Sequence, residues 1–123
     1  MFSVTVRTRF KASHSVQIGA EPRETAHGHD WLVEVEAAAD ALDHHGLVID
    51  FHRVEHLLDE CLEDFRGARL DELPAFAAVN ATAENVAHTI HRRLDERLRG
   101  SGVRLMRTTA WETDSCGGTY RPL

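Results

Sequence analysis

Histidines at positions 14, 27 and 29 are the residues best placed to do chemistry in this chain. His27 and His29 flank Gly28, so on an extended backbone their imidazoles point the same way. His14 shares parity with Phe2, Val4, Val6 and Phe10, and an extension of that alternating segment through Ala12 turns it inward as well. Three neutral imidazole nitrogens meeting at one point hold a zinc ion and leave its fourth position open to water or substrate. That is the arrangement of catalytic rather than structural sites. Gly28 lets the chain pass close to such a site. The same spacing also suits histidines in a solvated loop, and the H-x-H pair alone does not separate the two readings.

The elements that must carry these side chains follow from hydrophobic periodicity. Phe2, Val4, Val6, Thr8 and Phe10 alternate with Ser3, Thr5, Arg7 and Arg9, which predicts a half-buried strand over residues 2–10. Residues 11–30 hold two glycines and a proline with little periodicity, a long connection of the kind that usually carries function. Alternation resumes at Trp31, Val33, Val35, Ala37 and Ala39, a second strand that brings His27 and His29 onto its apolar face if it starts early. Phe51, Val54, Leu57, Leu58, Cys61, Leu62 and Phe65 have helical spacing behind an Asp50 N-cap. Thr82 caps a second helix, with Glu84 in its first turn and Val86, Ala87, Ile90, Leu94 and Leu98 on one face, ended by Gly100 and Gly102. Residues 103–113 and 118–121 read as two further strands.

The order ββααββ predicts a single α+β domain over residues 1–123, with a helix pair on one face of an antiparallel sheet. The other sheet face is expected to be apolar and to need a partner subunit as cover, which predicts a homo-oligomer. Fourteen basic against 20 acidic side chains, a charge of −6, argue against a protein that neutralises phosphate backbones. The charged N-terminal segment is neither a signal peptide nor a spanning helix, so no membrane partner and a soluble cytoplasmic protein are expected. Cys61 and Cys116 lack disulfide-framework or metal-finger spacing and read as reduced thiols.

Five ordered motifs carry a resemblance over nearly the whole chain. Phe10-Lys11-Ala12-Ser13-His14 is similar to F-x-A-x-H, and His27-Gly28-His29 to H-G-H. Gly46 to Phe51 is similar to G-M-V-x-D-F, Thr82-Ala83-Glu84-Asn85 to a P-T-x-E-N helix start, and Glu112-Thr113 to an E-T strand end. These are motifs of the 6-pyruvoyl-tetrahydropterin synthase and 6-carboxytetrahydropterin synthase family, which this chain resembles. The resemblance implies the tunnelling fold, or T-fold, whose ββααββ subunits assemble into a barrel, commonly a hexamer of two trimers. It implies zinc held by His14, His27 and His29, and a pterin whose guanidine-like edge is anchored by Glu112 at a subunit boundary. A carboxylate suits that edge because it accepts two parallel hydrogen bonds. Thr82 matches a position that helps hold the pterin ring, and equally fits a plain helix cap.

Two parts of the family's proton relay are missing. A cysteine four residues before H-G-H is replaced by Arg23, and ungapped alignment sets Phe65-Arg66-Gly67 where an L-D-H triplet would stand. Pairing Leu70-Asp71-Glu72 with that triplet needs a deletion and still lacks the histidine. Arginine stays protonated and cannot replace a thiolate. Retention of the three histidines and Glu112 without the relay points to a repurposed site, in which another residue moves the proton. Glu24, one place from the missing cysteine, is the leading replacement, and Arg23 and Arg66 suit a carboxylate or phosphate on a different substrate. Cys116 beside two glycines reads as inert, and His44, His45, His52, His56, His88 and His91 read as solvated.

The expected function is a zinc-dependent lyase or cyclase acting on a pterin-like or other oxygenated small molecule. Ordinary 6-carboxytetrahydropterin synthesis and a non-catalytic pterin-binding scaffold are the alternatives.

Overall fold

A computed structural model describes residues 1–123. Strands β1 (Phe2–His14) and β2 (His27–Ala39) run antiparallel in unbroken register, from Phe2 opposite Ala39 to His14 opposite His27. Strand β3 (Arg104–Trp111) pairs with β2, with a register shift at Glu36/Ala37, and β4 (Gly117–Tyr120) closes the order β1-β2-β3-β4. Helices α1 (Phe51–Leu62) and α2 (Ala83–Arg97) cover one face, as the periodicity predicts. Both predicted caps form: the Asp50 side chain accepts from the His52 N–H at 2.9 Å, and Thr82 Oγ1 from the Asn85 N–H at 3.2 Å. Each satisfies a backbone donor that the first turn leaves free. No helix is long and apolar enough to cross a membrane.

The core lies between the helices and the sheet. Val6, Phe10, Trp31, Val33 and Val35 meet Val54, Leu58, Leu62, Val86, Ile90 and Leu94. Phe10 stacks on Trp31 with ring centroids 5.8 Å apart, and the Trp31 indole N–H donates to the Ala12 carbonyl at 3.3 Å. Each fully buried apolar side chain contributes about 1.5–3 kcal/mol. A one-residue slip would turn the whole inner set of the hairpin outward, so register is firmly held. That register decides which way the histidines face.

The structure departs from the sequence expectations in three places. First, β1 runs on to His14 and β2 begins at His27, because the two strands pair along their full length and residues 67–69 brace the end of β1. The Gly67 N–H donates to the Lys11 carbonyl at 2.7 Å, and the Ser13 N–H to that of Ala68 at 3.0 Å. The connection that holds these residues contains two short 3-10 turns, Leu70–Glu72 and Pro74–Phe76.

Second, the open sheet face is charged rather than apolar. Arg7 pairs with Glu34 at 2.8 Å, and Arg107 reaches Glu34 at 2.7 Å and Glu36 at 3.1 Å. Burial alone would raise the Glu34 carboxyl, but hydrogen bonds from Arg107 and Arg7 more than offset it and hold it below the usual carboxylate range. The expected apolar face is therefore mainly charged, with Leu32 and Trp111 set among the ion pairs.

Third, His91 is not solvated. It is 4% exposed between α2 and β3, with Nδ1 2.9 Å from Thr108 Oγ1 and its ring edge-on to Tyr120. Apolar residues surround its helical position on both sides, and the β3 hydroxyl supplies the partner that makes burial tolerable. His88 is half-buried against Tyr120, while His44, His45, His52 and His56 are exposed as expected.

Candidate metal centre

His14 ends β1 and His27 opens β2 directly across from it, while His29 lies two residues along β2 on the same face. The hairpin mouth therefore gathers all three imidazoles, whose donor atoms lie within 4.8 Å of one another. The orientation of two rings is set from behind. His14 Nδ1 lies 2.7 Å from the Ala81 carbonyl oxygen and His27 Nδ1 3.0 Å from that of Thr25. A carbonyl only accepts, so each Nδ1 donates and, in the neutral ring, Nε2 carries the lone pair.

The Nε2 atoms of His14 and His29 are buried and have no hydrogen-bond partner. A buried polar atom left unpaired costs about 1–3 kcal/mol, and ligation would satisfy both at once. Burial, reinforced by the neighbouring imidazoles and opposed by the Glu112 carboxylate, holds His29 below the ordinary imidazole range, which favours the neutral, ligating form. The donor set fits a zinc ion: three imidazole nitrogens in reach of one point, two of them oriented by carbonyls.

Two carboxylates border the cluster. Glu112 follows β3 on the inward face and sets Oε1 3.8 Å from His14 Nε2 and Oε2 3.7 Å from His29 Nε2. Glu24 Oε1 lies 4.0 Å from His27 Nε2 and accepts from the Val16 N–H at 3.1 Å. The β1–β2 connection thus brings Glu24, still exposed, to the edge of the histidine cluster.

Ser15, fully buried, is bonded through all its polar groups. Its N–H donates to Asp71 Oδ1 at 2.9 Å, its hydroxyl to the Glu24 carbonyl at 2.6 Å, and its carbonyl accepts from Arg23 Nη1 at 2.8 Å. Asp71 also pairs with Arg69 at 3.0 Å and stands 3.9 Å from Arg23. Sequence reasoning missed Ser15 and the part played by Asp71. For Ser15 the signal was its proximity to His14, and for Asp71 it was the gapped pairing of Leu70-Asp71-Glu72 with the L-D-H triplet; the contact itself spans 56 residues.

The remaining candidates have other partners. Arg66 donates to the Arg9 carbonyl and pairs with Asp59, both at 2.9 Å, so within the chain it is not brought to Arg23. Thr82 serves as the α2 cap. Cys116 is exposed in the β3–β4 turn, where its carbonyl accepts from the Glu112 N–H at 2.9 Å.

Comparison with solved structures finds the same fold. Caenorhabditis elegans 6-pyruvoyl tetrahydropterin synthase superposes with a TM-score of 0.87 at 20% identity, covering 99% of this chain and 96% of that one. The Plasmodium vivax enzyme gives 0.82 at 18% identity, covering 98% and 97%. A P. vivax variant described as a catalytic-residue mutant, with alanine in place of a glutamate, gives 0.81 at 16% identity over the same shares. At these identities the likeness establishes the fold. None of the curated proteins matches the sequence significantly. The family model for 6-pyruvoyl tetrahydropterin synthase matches residues 3–122, which takes in both strands of the histidine hairpin, both helices and Glu112. On that match, the chain belongs to the 6-pyruvoyl tetrahydropterin synthase family.

Proposed function

We propose that the chain is a zinc-dependent lyase or cyclase of its family, acting on a pterin-like or other oxygenated small molecule, with a proton relay rebuilt around Glu24. The observation that carries this reading is the set of three Nε2 atoms facing a common point, two of them buried and unpartnered, with a carboxylate on either side. A scaffold without catalysis has no need for two unpartnered buried imidazole nitrogens beside a solvent-reachable carboxylate.

His14, His27 and His29 would hold the zinc, which when bound polarises a carbonyl or hydroxyl oxygen of the substrate. Glu24 is the acid or base. The Val16 N–H holds its Oε1, and the other oxygen is left to take a proton from, or return it to, a carbon or oxygen beside the polarised centre. In the P. vivax relative, too, a glutamate is described as catalytic. Glu112 would accept a pair of N–H groups from the substrate edge, with Thr82 near the ring. Arg23 and Arg66 would face an anionic substituent. Arg23 keeps guanidinium donors beyond the one used on Ser15, whereas Arg66 would have to act toward a site built with a neighbouring subunit. As a lyase it would break a carbon–oxygen or carbon–carbon bond, and as a cyclase it would close a ring.

A homo-oligomer, a hexamer closing the sheets into a barrel, is part of the same proposal. Its support within the chain is the outer edge of β1 over residues 2–8, a row of unpaired backbone groups ready for another strand. A soluble cytoplasmic setting accords with it.

Metal analysis of the purified protein, followed by incubation with dihydroneopterin triphosphate and a panel of oxygenated pterins, tests the reading. We expect one zinc per chain and zinc-dependent turnover of a panel member without 6-carboxytetrahydropterin formation. Robust 6-carboxytetrahydropterin formation would restore the ordinary synthase and sink the repurposing. A metal-free protein indifferent to added zinc would remove the centre itself.

A further inference from the structure

We propose that Glu112 is a fourth ligand of the metal in the resting site, completing a three-histidine, one-carboxylate set, and that it leaves when substrate arrives. This rests on the zinc reading above and goes beyond it in assigning Glu112 to the metal.

The inference comes from two acceptors facing each other. With Nδ1 donating to the Ala81 carbonyl, the neutral His14 ring presents a lone pair at Nε2, and 3.8 Å away stands the carboxylate Oε1, which when ionised is also only an acceptor. The same carboxylate turns Oε2 toward the unpartnered Nε2 of His29 at 3.7 Å. At His14 two acceptors face each other over a buried nitrogen, an arrangement that a positive centre between them relieves. In a tetrahedral zinc site with bonds of about 2.0–2.2 Å, neighbouring donors are about 3.3–3.6 Å apart. The observed separations, one to each carboxylate oxygen, are a few tenths of an ångström longer, and a rotation of the Glu112 side chain would be needed to set a single oxygen against both nitrogens.

The backbone holds this carboxylate in place. Leu32 pairs with Trp111 at the end of β3, so Glu112 comes next on the face that carries His29 and Trp31. Its N–H is tied to the Cys116 carbonyl across the tight β3–β4 turn. A Cβ at Gly117 would lie 2.7 Å from the Trp111 ring, so this turn packs closely against the strand that delivers Glu112.

Both oxygens of Glu112 face the histidines, and in this position neither is free to take a substrate edge. Ligation and anchoring therefore exclude each other. Substrate binding must release the carboxylate from the metal, which opens the fourth position as the anchor forms.

Cobalt titration of the metal-free protein tests this, since cobalt reports its coordination by visible absorption. We expect wild type to give the spectrum of a closed four-coordinate site, and Glu112→Gln to bind cobalt at least about tenfold more weakly with a changed spectrum. Neopterin, added as probe, should shift the wild-type spectrum toward that of the variant. Equal thermal unfolding of the two metal-free proteins guards against a folding defect. Identical affinity and spectrum in both would overturn the assignment while leaving the histidine centre standing. Failure of both to bind cobalt or zinc would overturn the centre and this assignment together.

Discussion

The Ser15 hydroxyl donates to the backbone carbonyl of Glu24 at 2.6 Å, so the residue that follows His14 also fixes the residue facing His27. Glu24 is therefore seated on the rim of the cluster by a partly buried bond, and its carboxylate is reachable by solvent. Glu24→Gln keeps that bond and removes only the titrating group. We expect it to retain zinc and lose about 10²–10⁴ in kcat on the substrate identified in the panel. Ser15→Ala should retain zinc as well, with a smaller loss of kcat and about 1 kcal/mol of stability. Full activity in Glu24→Gln would exclude Glu24 as acid or base.

Metal binding should be visible as stability. An ion that binds only the folded chain, at a free concentration 100 times its Kd, adds about 2.7 kcal/mol. We expect a chelator to lower the Tm of the wild type by several degrees and zinc to restore it. His14→Ala should show no zinc-dependent rise, because it deletes one of the two unpartnered Nε2 atoms and the ring anchored to Ala81.

His91 predicts a dependence on pH separate from the metal. Burial, opposed by Asp95 and reinforced by His88, holds its imidazole below the ordinary value of 6.5. The unfolded chain then binds the proton more readily, so this contribution is fully present above pH 6.5 and is lost as pH falls through the folded value. Urea unfolding of the metal-free protein should show stability falling below pH 6.5, with a shallower fall in His91→Gln. Parallel profiles for the two proteins would assign the acid sensitivity elsewhere.

Gly118 is where β4 meets the start of α2. A Cβ there would stand 2.6 Å from the Glu84 amide nitrogen and 2.9 Å from the Ala83 carbonyl carbon, both backbone atoms with little room to move. Gly118→Ala should therefore cost about 1–3 kcal/mol in urea unfolding. Zinc stoichiometry of the folded protein should be unchanged, since the histidines belong to the other side of the sheet order.

Strand and helix identities, the two N-caps and the parity that turns His27 and His29 inward are local properties, and the sequence by itself determined them. Periodicity and capping act over a few residues, so they are legible without the fold. The alternation of β1 even implied the facing of His14, although only full-length pairing with β2 carried that strand to position 14. What the tertiary structure decided are contacts between residues far apart in the chain. Asp71 reaches Ser15 across 56 residues, His14 finds its carbonyl 67 residues away, and Arg66 turns to Arg9 and Asp59 instead of Arg23. The burial of His91 depends on a hydroxyl of β3, and the charged open face on cross-strand pairing of Arg7, Glu34 and Arg107. Local patterns record which side of an element faces the core, but the partner met there is set by how the elements pack.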